Sequence, residues 1–366
     1  MNEKAPVSLF QKRVRKFKRL KRGYYSFLLL TIAYIFSFFL PIFMNSKALL
    51  VSYKGKWYCP FSTHYTNNDF ELGGSDEFSK NITPNYRTLQ EKFDQEKQGN
   101  WVLLPFFPYD YKEIVEAPPG KFHPQPPSFD HWFGTDIEGR DVLVRLAYGF
   151  NVSITFALVL TVITFAVGIL VGAVFGYYGG WVDMIGLRLV EICQTIPFLY
   201  MVMILSALMS PKFNPDTIPI LQTSFFLLVG IMTLFGWMGT TYYIRAEFLK
   251  EKAKDYVSAA ISIGVSDWMI MFKHILPNAL TPVVTFAPFA IVTDISSLVA
   301  LDFLGFGLPI PTPSWGQTIQ QGLINIERWW LVLFPFSALF VTLFLVVLIG
   351  EAVREAFDPK VFSRLR

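Results

Sequence analysis

Six runs of roughly twenty apolar residues, at 24–44, 152–177, 187–209, 224–244, 279–301 and 330–349, constrain this chain more than any other feature. The hydrocarbon core of a bilayer is about 30 Å thick and takes roughly 20 residues of helix to cross. Backbone in lipid must satisfy its own hydrogen bonds, so such runs become helices. They predict an all-α polytopic membrane protein with six transmembrane helices. Composition agrees: 16% of residues are charged, against about 25% in soluble domains. The first run is too long for the apolar stretch of a signal peptide. The residues that follow, PIFMN at 41–45, offer no small-residue cleavage site.

Lys and Arg beside the runs set an orientation. Lys4, Lys12, Arg13, Arg15, Lys16, Lys18, Arg19, Lys21 and Arg22 precede the first run and predict a cytoplasmic N-terminus. Six crossings return the C-terminus to the same side, where Arg354, Lys360, Arg364 and Arg366 lie. The loop at 245–278 falls on that side too, with Arg245, Lys250, Lys252, Lys254 and Lys273. The short outer loops hold only Lys212 and Arg328. The expected organisation is a basic tail (1–23), helix 1 (24–44), a periplasmic insertion and connector (45–151), a five-helix core (152–350) and a second tail (351–366). The insertion is too long for its charges to count. Its aromatics, Tyr53, Trp57, Tyr58, Tyr65 and Trp101, predict a small packed subdomain, and its Pro-rich stretch 118–127 an extended connector.

Several chemistries have no support. Cys59 sits in a polar loop and Cys193 in an apolar run, which argues against a disulfide or a Cys-based metal site. His64, His123, His131 and His274 are scattered, without ligand spacing, so no metal and no cofactor are expected. No phosphate-binding G-x-x-x-x-G-K-[ST] loop is present; the nearest run, at 74–80, lacks the second glycine. Asp136, Arg140 and Asp141 are better read as turn capping plus a salt bridge than as a catalytic cluster. No nucleic-acid partner is expected.

The loop at 245–278 is the most informative segment. Residues 247–263 read as a helix closed by Gly264. Ser266 and Asp267 are placed to cap a second short helix, with Trp268, Ile270, Met271 and Ile275 on its apolar face, and Pro277 breaks the chain before the fifth run. Ser258, Ala259 and Ala260 are small enough for another surface to approach closely.

This loop resembles the "EAA" loop of ABC importer permeases, with Ala259, Ala260, Gly264, Leu276 and Pro277 in register. Ser258 replaces the family's Glu, and His274 its Ile. FGTDIEGRDVLVRLAYG at 133–149, YYGGWVD at 177–183, LDFLGFGLP at 301–309 and GEAVREAFDP at 350–359 are similar to signatures of the dipeptide, oligopeptide and nickel permeases. LLVSYKGKWYCP at 49–60 resembles the extended oligopeptide and microcin C subgroup. The resemblance implies the type I ABC importer permease fold and a subunit that does not itself hydrolyse ATP. It also implies a set of partners: a second permease, two ATP-binding cassette ATPase domains, a periplasmic substrate-binding protein, a peptide substrate and membrane lipid. Asp255, Ser258, Ala259, Ala260, Gly264, Asp267, His274, Leu276 and Pro277 would form the ATPase-coupling loop.

A charged side chain inside a bilayer is costly unless paired or wet. Asp294, beside Thr293 and Ser297 in the fifth run, is therefore expected either on the translocation path or in a hydrogen bond to a neighbouring helix. Glu191 is expected to pair with Arg188, and Asp302 to be structural. Gly168, Gly172 and Gly176 form a small-residue stripe for close packing, within the chain or against the partner permease. Two other functions stay open. A nickel or metal-complex permease would want His or Met clustered on the path. A membrane sensor or enzyme would use the insertion, where His64, Asp69, Asp76 and His123 are available without supporting spacing.

Overall fold

The computed structural model describes residues 9–72, 80–97, 99–209 and 224–358. Lys4, Asp76, Lys212, Lys360, Arg364 and Arg366 lie outside the described residues, as does nearly all of 74–80.

Each apolar run is helical, but not each is one straight helix. After α1 (Leu9–Arg19), the first run is carried by α2 (Lys21–Ser37) and the short α3 (Leu40–Phe43). α2 has 17 residues, about 26 Å at 1.5 Å per residue. Val142–Tyr178, Thr281–Leu304 and Trp330–Phe357 are each long and apolar enough to cross a membrane. The third and fourth runs pass that test only as bent pairs, which brings the total among the described residues to five. Gly180–Gln194 and Phe198–Leu208 meet at 75°, Phe225–Gly236 and Met238–Lys252 at 46°. Pro197, extended at φ −61°, ψ 120°, explains the first bend: it has no N–H to continue the ladder and disfavours helical geometry in the residue before it. Trp237, between Gly236 and Met238, marks the second.

In chain order, α4 is Tyr86–Glu96, α5 Val142–Tyr178, α6 Gly180–Gln194, α7 Phe198–Leu208, α8 Phe225–Gly236 and α9 Met238–Lys252. Next come α10 (Asp255–Ser262), α11 (Asp267–Met269), a π-helix (Ile270–Ile275), α12 (Leu276–Ala279), α13 (Thr281–Leu304), α14 (Trp315–Ile324) and α15 (Trp330–Phe357). The chain divides into two compact units.

The first unit comprises Met1–Ile32, Val152–Pro309 and Phe336–Arg366. One of its cores joins Phe156 and Leu160 to Val202, Leu228, Met232 and Leu298. A second joins Ala173 and Tyr177 of α5 to Ile244 and Phe248 of α9 and to Val257, Ala260, Ile270 and Ile275 beyond it. The glycine stripe packs within the chain. A Cβ on Gly168 would stand 2.6 Å from the Thr240 Cβ, one on Gly172 2.7 Å from the Thr241 carbonyl oxygen, and one on Gly176 2.5 Å from the Phe248 Cβ. α5 and α9 therefore approach closely over about two turns. Asp302 is structural: its carboxylate accepts from the Leu308 N–H at 2.7 Å. A Cβ on Gly307 would lie 1.9 Å from that same carboxylate oxygen, so only glycine fits there.

The second unit comprises Ala33–Asn151 and Ile310–Pro335. Within it, β1 (Leu50–Tyr53) lies between β2 (Lys56–Tyr58) and β3 (Trp101–Leu103) in an antiparallel sheet, so the chain is not purely helical. Tyr53, Phe70, Tyr86 and Phe93 form the core that the aromatics predict, with Tyr58 and Tyr65 at its margin. Trp57 and Trp101 do not join it; they meet edge to face at the surface, 5.7 Å apart. Residues 118–127 contain no helix or strand.

The signature at 133–149 holds a buried charge network in this unit. Asp136 accepts from Arg140 Nε at 2.8 Å and from the Glu138 and Arg140 N–H groups at 2.9 Å. Asp141 accepts from the Val144 N–H at 2.9 Å in the first turn of α5 and lies 2.8 Å from His131. Capping and pairing thus occupy both carboxylates. Among the described residues no group of three His, Cys, Asp or Glu is placed to hold a metal, and Cys59 and Cys193 are free thiols.

Candidate functional site

The segment from Met238 to Ala279 folds as a knob whose core is shared with the end of α5. α9 does not run through to 263. It stops at Lys252, Ala253 and Lys254 make a break, and α10 starts at Asp255. Lys254 is extended (φ −89°, ψ 149°), which turns α10 away from α9. Lys254 donates to Glu251 at 2.6 Å, and the Tyr256 hydroxyl to the same carboxylate at 2.8 Å. The carboxylate holds the Lys254 ammonium above its ordinary pKa. The Tyr256 phenol is raised too, first by desolvation and then by that hydrogen bond.

α10 buries Val257 and Ala260 and exposes Asp255, Ser258 and Ala259. Gly264 closes it in the left-handed region (φ 79°), a conformation glycine adopts without steric penalty. Ile261 and Ile263, on either side of Ser262, are 52% and 80% exposed. These two outward-facing isoleucines form an exposed apolar edge of the knob.

The second limb departs from a simple capped helix. Ser266 makes no side-chain cap bond. Asp267 instead accepts a 2.7 Å hydrogen bond from the Tyr177 hydroxyl at the end of α5. Lys252 Nζ donates to the Tyr177 carbonyl at 2.5 Å. Tyr177 thus ties α5 to both limbs of the knob. Ile270, Met271 and Ile275 are buried as expected, but Trp268 is 65% exposed, resting edge-on against Phe272. His274 lies in the π-helix, where its carbonyl accepts from Asn278 at 3.3 Å. Leu276 and Pro277 open α12, so Pro277 starts a helical turn rather than ending one. Asp183, four residues past Gly179, holds Arg245 through two contacts, one of 2.5 Å to Nη2. Neither residue stands out in the sequence; both are spaced by 62 positions and only the fold brings them together. Arg188 and Glu191 pair at 2.6 Å on the surface. We expect Tyr177→Phe to cost about 1 kcal/mol by removing the tie to the exposed Asp267 carboxylate, and to speed trypsin cleavage at Lys254 and Lys273 in the purified chain.

Thr293, Asp294 and Ser297 belong to a different place. They line a cavity of about 360 Å³ between α13, α5 and the two bent helix pairs. Asp294 accepts a 2.7 Å hydrogen bond from the Thr161 hydroxyl of α5.

Residues 168–363 match the family described as binding-protein-dependent transport system inner membrane component. The chain is 38% identical to the peptidoglycan transport system permease protein YejE of Agrobacterium fabrum, over 96% of this chain and 93% of that one. It is also 38% identical to the inner membrane ABC transporter permease protein YejE of Escherichia coli, over 98% and 99% respectively. Identity to the oligopeptide transport system permease protein OppC of Bacillus subtilis is 32%, over 71% of this chain and 80% of that one. Among solved structures, the inward-facing MetNI methionine ABC transporter aligns at 17% identity, covering 58% of this chain and 96% of that one, with a TM-score of 0.46.

Proposed function

This chain belongs to the binding-protein-dependent transport system inner membrane components, and on that premise we propose that its knob is the handle by which ATPase subunits drive a peptide importer. The chain is a multi-pass inner-membrane permease of an ABC importer for peptides, a transport subunit rather than an enzyme. ATP is hydrolysed by two partner ATPase domains. A second permease completes the path, and a periplasmic binding protein delivers cargo. Both termini and the knob lie in the cytoplasm, in keeping with the basic residues around them, and residues 45–151 face the periplasm. The relatives' names span peptidoglycan and oligopeptides; what these share is a short peptide. The cargo is therefore an oligopeptide or a peptide-like compound such as microcin C.

The observation that carries this reading is the knob itself. It offers an exposed Ile261–Ile263 edge beside the small residues Ser258 and Ala259, and is tied at Tyr177 to the 37-residue helix α5. A partner that buries this edge and moves it moves α5. ATP binding need only favour one arrangement of the knob over another for the bundle to follow.

The test is uptake of radiolabelled peptides of graded length by a strain lacking this chain, with and without its restoration. Restored uptake together with copurification of two ATPase domains is expected. Uptake that does not depend on the chain, or a purified complex without ATPases, would overturn the proposal.

A further inference from the structure

We propose that the cavity around Asp294 is a cation subsite that receives the ammonium group of a peptide during its passage. This rests on the peptide-importer reading above and adds to it a specific contact. Four independent observations meet at this cavity.

The first is charge. Asp294 sits in the middle of α13 and accepts a hydrogen bond from the neutral Thr161 hydroxyl. Among the described residues no Lys, Arg or His pairs with it. An acid at this depth is tolerated where it faces water or meets a cation, and the cavity supplies the space for both.

The second is the wall. Phe165, Phe198, Tyr243, Phe286 and Phe289 line the cavity, with Tyr243 and Phe286 stacked at 4.7 Å. Aromatic faces attract organic cations, most strongly where water is scarce.

The third is the polar complement. Thr293 and Ser297 also line the cavity, one residue before and three residues after Asp294. An ammonium group has three donors; one carboxylate and two hydroxyls can meet them. A metal ion would want several anionic or imidazole ligands, and among the described residues no group of three His, Cys, Asp or Glu is placed to hold one.

The fourth is the backbone. Both bent helix pairs open onto this cavity: Phe198 begins the limb after the 75° bend, and Gly236 and Gly239 flank the 46° bend. Interrupted membrane helices are tolerated where they line a cavity, and they mark binding sites in transporters.

The experiment uses the whole importer, with its partner permease, ATPases and binding protein, in proteoliposomes. The probes are trialanine and N-acetyl-trialanine. Asp294→Asn is expected to cut trialanine uptake about tenfold relative to wild type, the size of one lost charged contact. Acetyl-trialanine uptake should fall far less than trialanine uptake. Asp294→Glu, which keeps the charge, should retain most trialanine uptake. If wild type carries too little of the acetylated probe to measure, the contrast between the Asn and Glu variants decides alone. Equal trialanine uptake by wild type and Asp294→Asn would overturn the proposal. So would loss of the partner permease from the purified Asn variant, because the acid would then be an interface anchor. Failure of wild type to carry either probe would instead count against the peptide reading.

Discussion

Replacing Ile261 and Ile263 together by aspartate is expected to strip the ATPase subunits from the purified importer and abolish uptake. Both side chains face outward, Ile263 at 80% exposure, and neither belongs to the knob's core. Fully burying an isoleucine against a partner contributes about 1.5–3 kcal/mol. Losing two at the lower bound is roughly 3 kcal/mol, or about a hundredfold in affinity. Two aspartates would in addition have to be desolvated, which costs more still. Because the knob packs through Val257, Ala260, Ile270 and Ile275 instead, its fold should survive. Pull-down with tagged ATPase is the primary measurement, and the thermal midpoint of the isolated permease is the control. Full ATPase retention at an unchanged midpoint would mean that the motor grips another surface.

Gly172→Val should be strongly damaging within the membrane part. Its first added carbon would lie 2.7 Å from the Thr241 carbonyl oxygen and 2.9 Å from the Ile244 Cβ. Neither is the end of a flexible side chain, so α9 must move bodily. Overpacking of this kind costs about 1–3 kcal/mol and sometimes more, and here it also parts the Gly168 and Gly176 contacts. We expect the variant to be recovered in low yield, with aggregation on size-exclusion chromatography. Gly230→Ala is the matched control: nothing lies within 4 Å of the added carbon, and alanine is the better helix former. If Gly172→Val purified as a monodisperse importer with normal uptake, the close approach of α5 and α9 would not matter to assembly.

Much of this architecture is readable before any coordinates. Hydropathy alone places the six runs, because length and apolarity are local properties. Pro197 announces its bend for the same reason. The bend at Trp237 is different: nothing between Gly236 and Gly239 forbids a straight helix, and no local signal fixes the 46° angle. In the knob, Gly264 was legible as a stop because a left-handed residue favours glycine. The break at Ala253 and Lys254 was not, since neither residue disfavours helix. Asp267 shows the limit most clearly. Its place before an apolar run suits a cap, yet its partner is Tyr177, 90 positions away. The glycine stripe was visible as a stripe, but spacing cannot say what fills it; Thr240, Ile244 and Phe248 do. Asp294 could be picked out by its depth, whereas the aromatic rings around it come from four separate helices.

The bend between α8 and α9 makes the latter a crank arm. Its 15 residues span about 22 Å. Each ten degrees of change at Trp237 would swing the far end by about 4 Å on that arm. Since α5 is laid along the same arm, glycine against backbone, the swing carries a second helix with it. The α9 residues that line the Asp294 cavity, Gly239, Thr240 and Tyr243, lie within six residues of the pivot, so on such a swing the cavity wall would move by a fraction of the stroke at the knob.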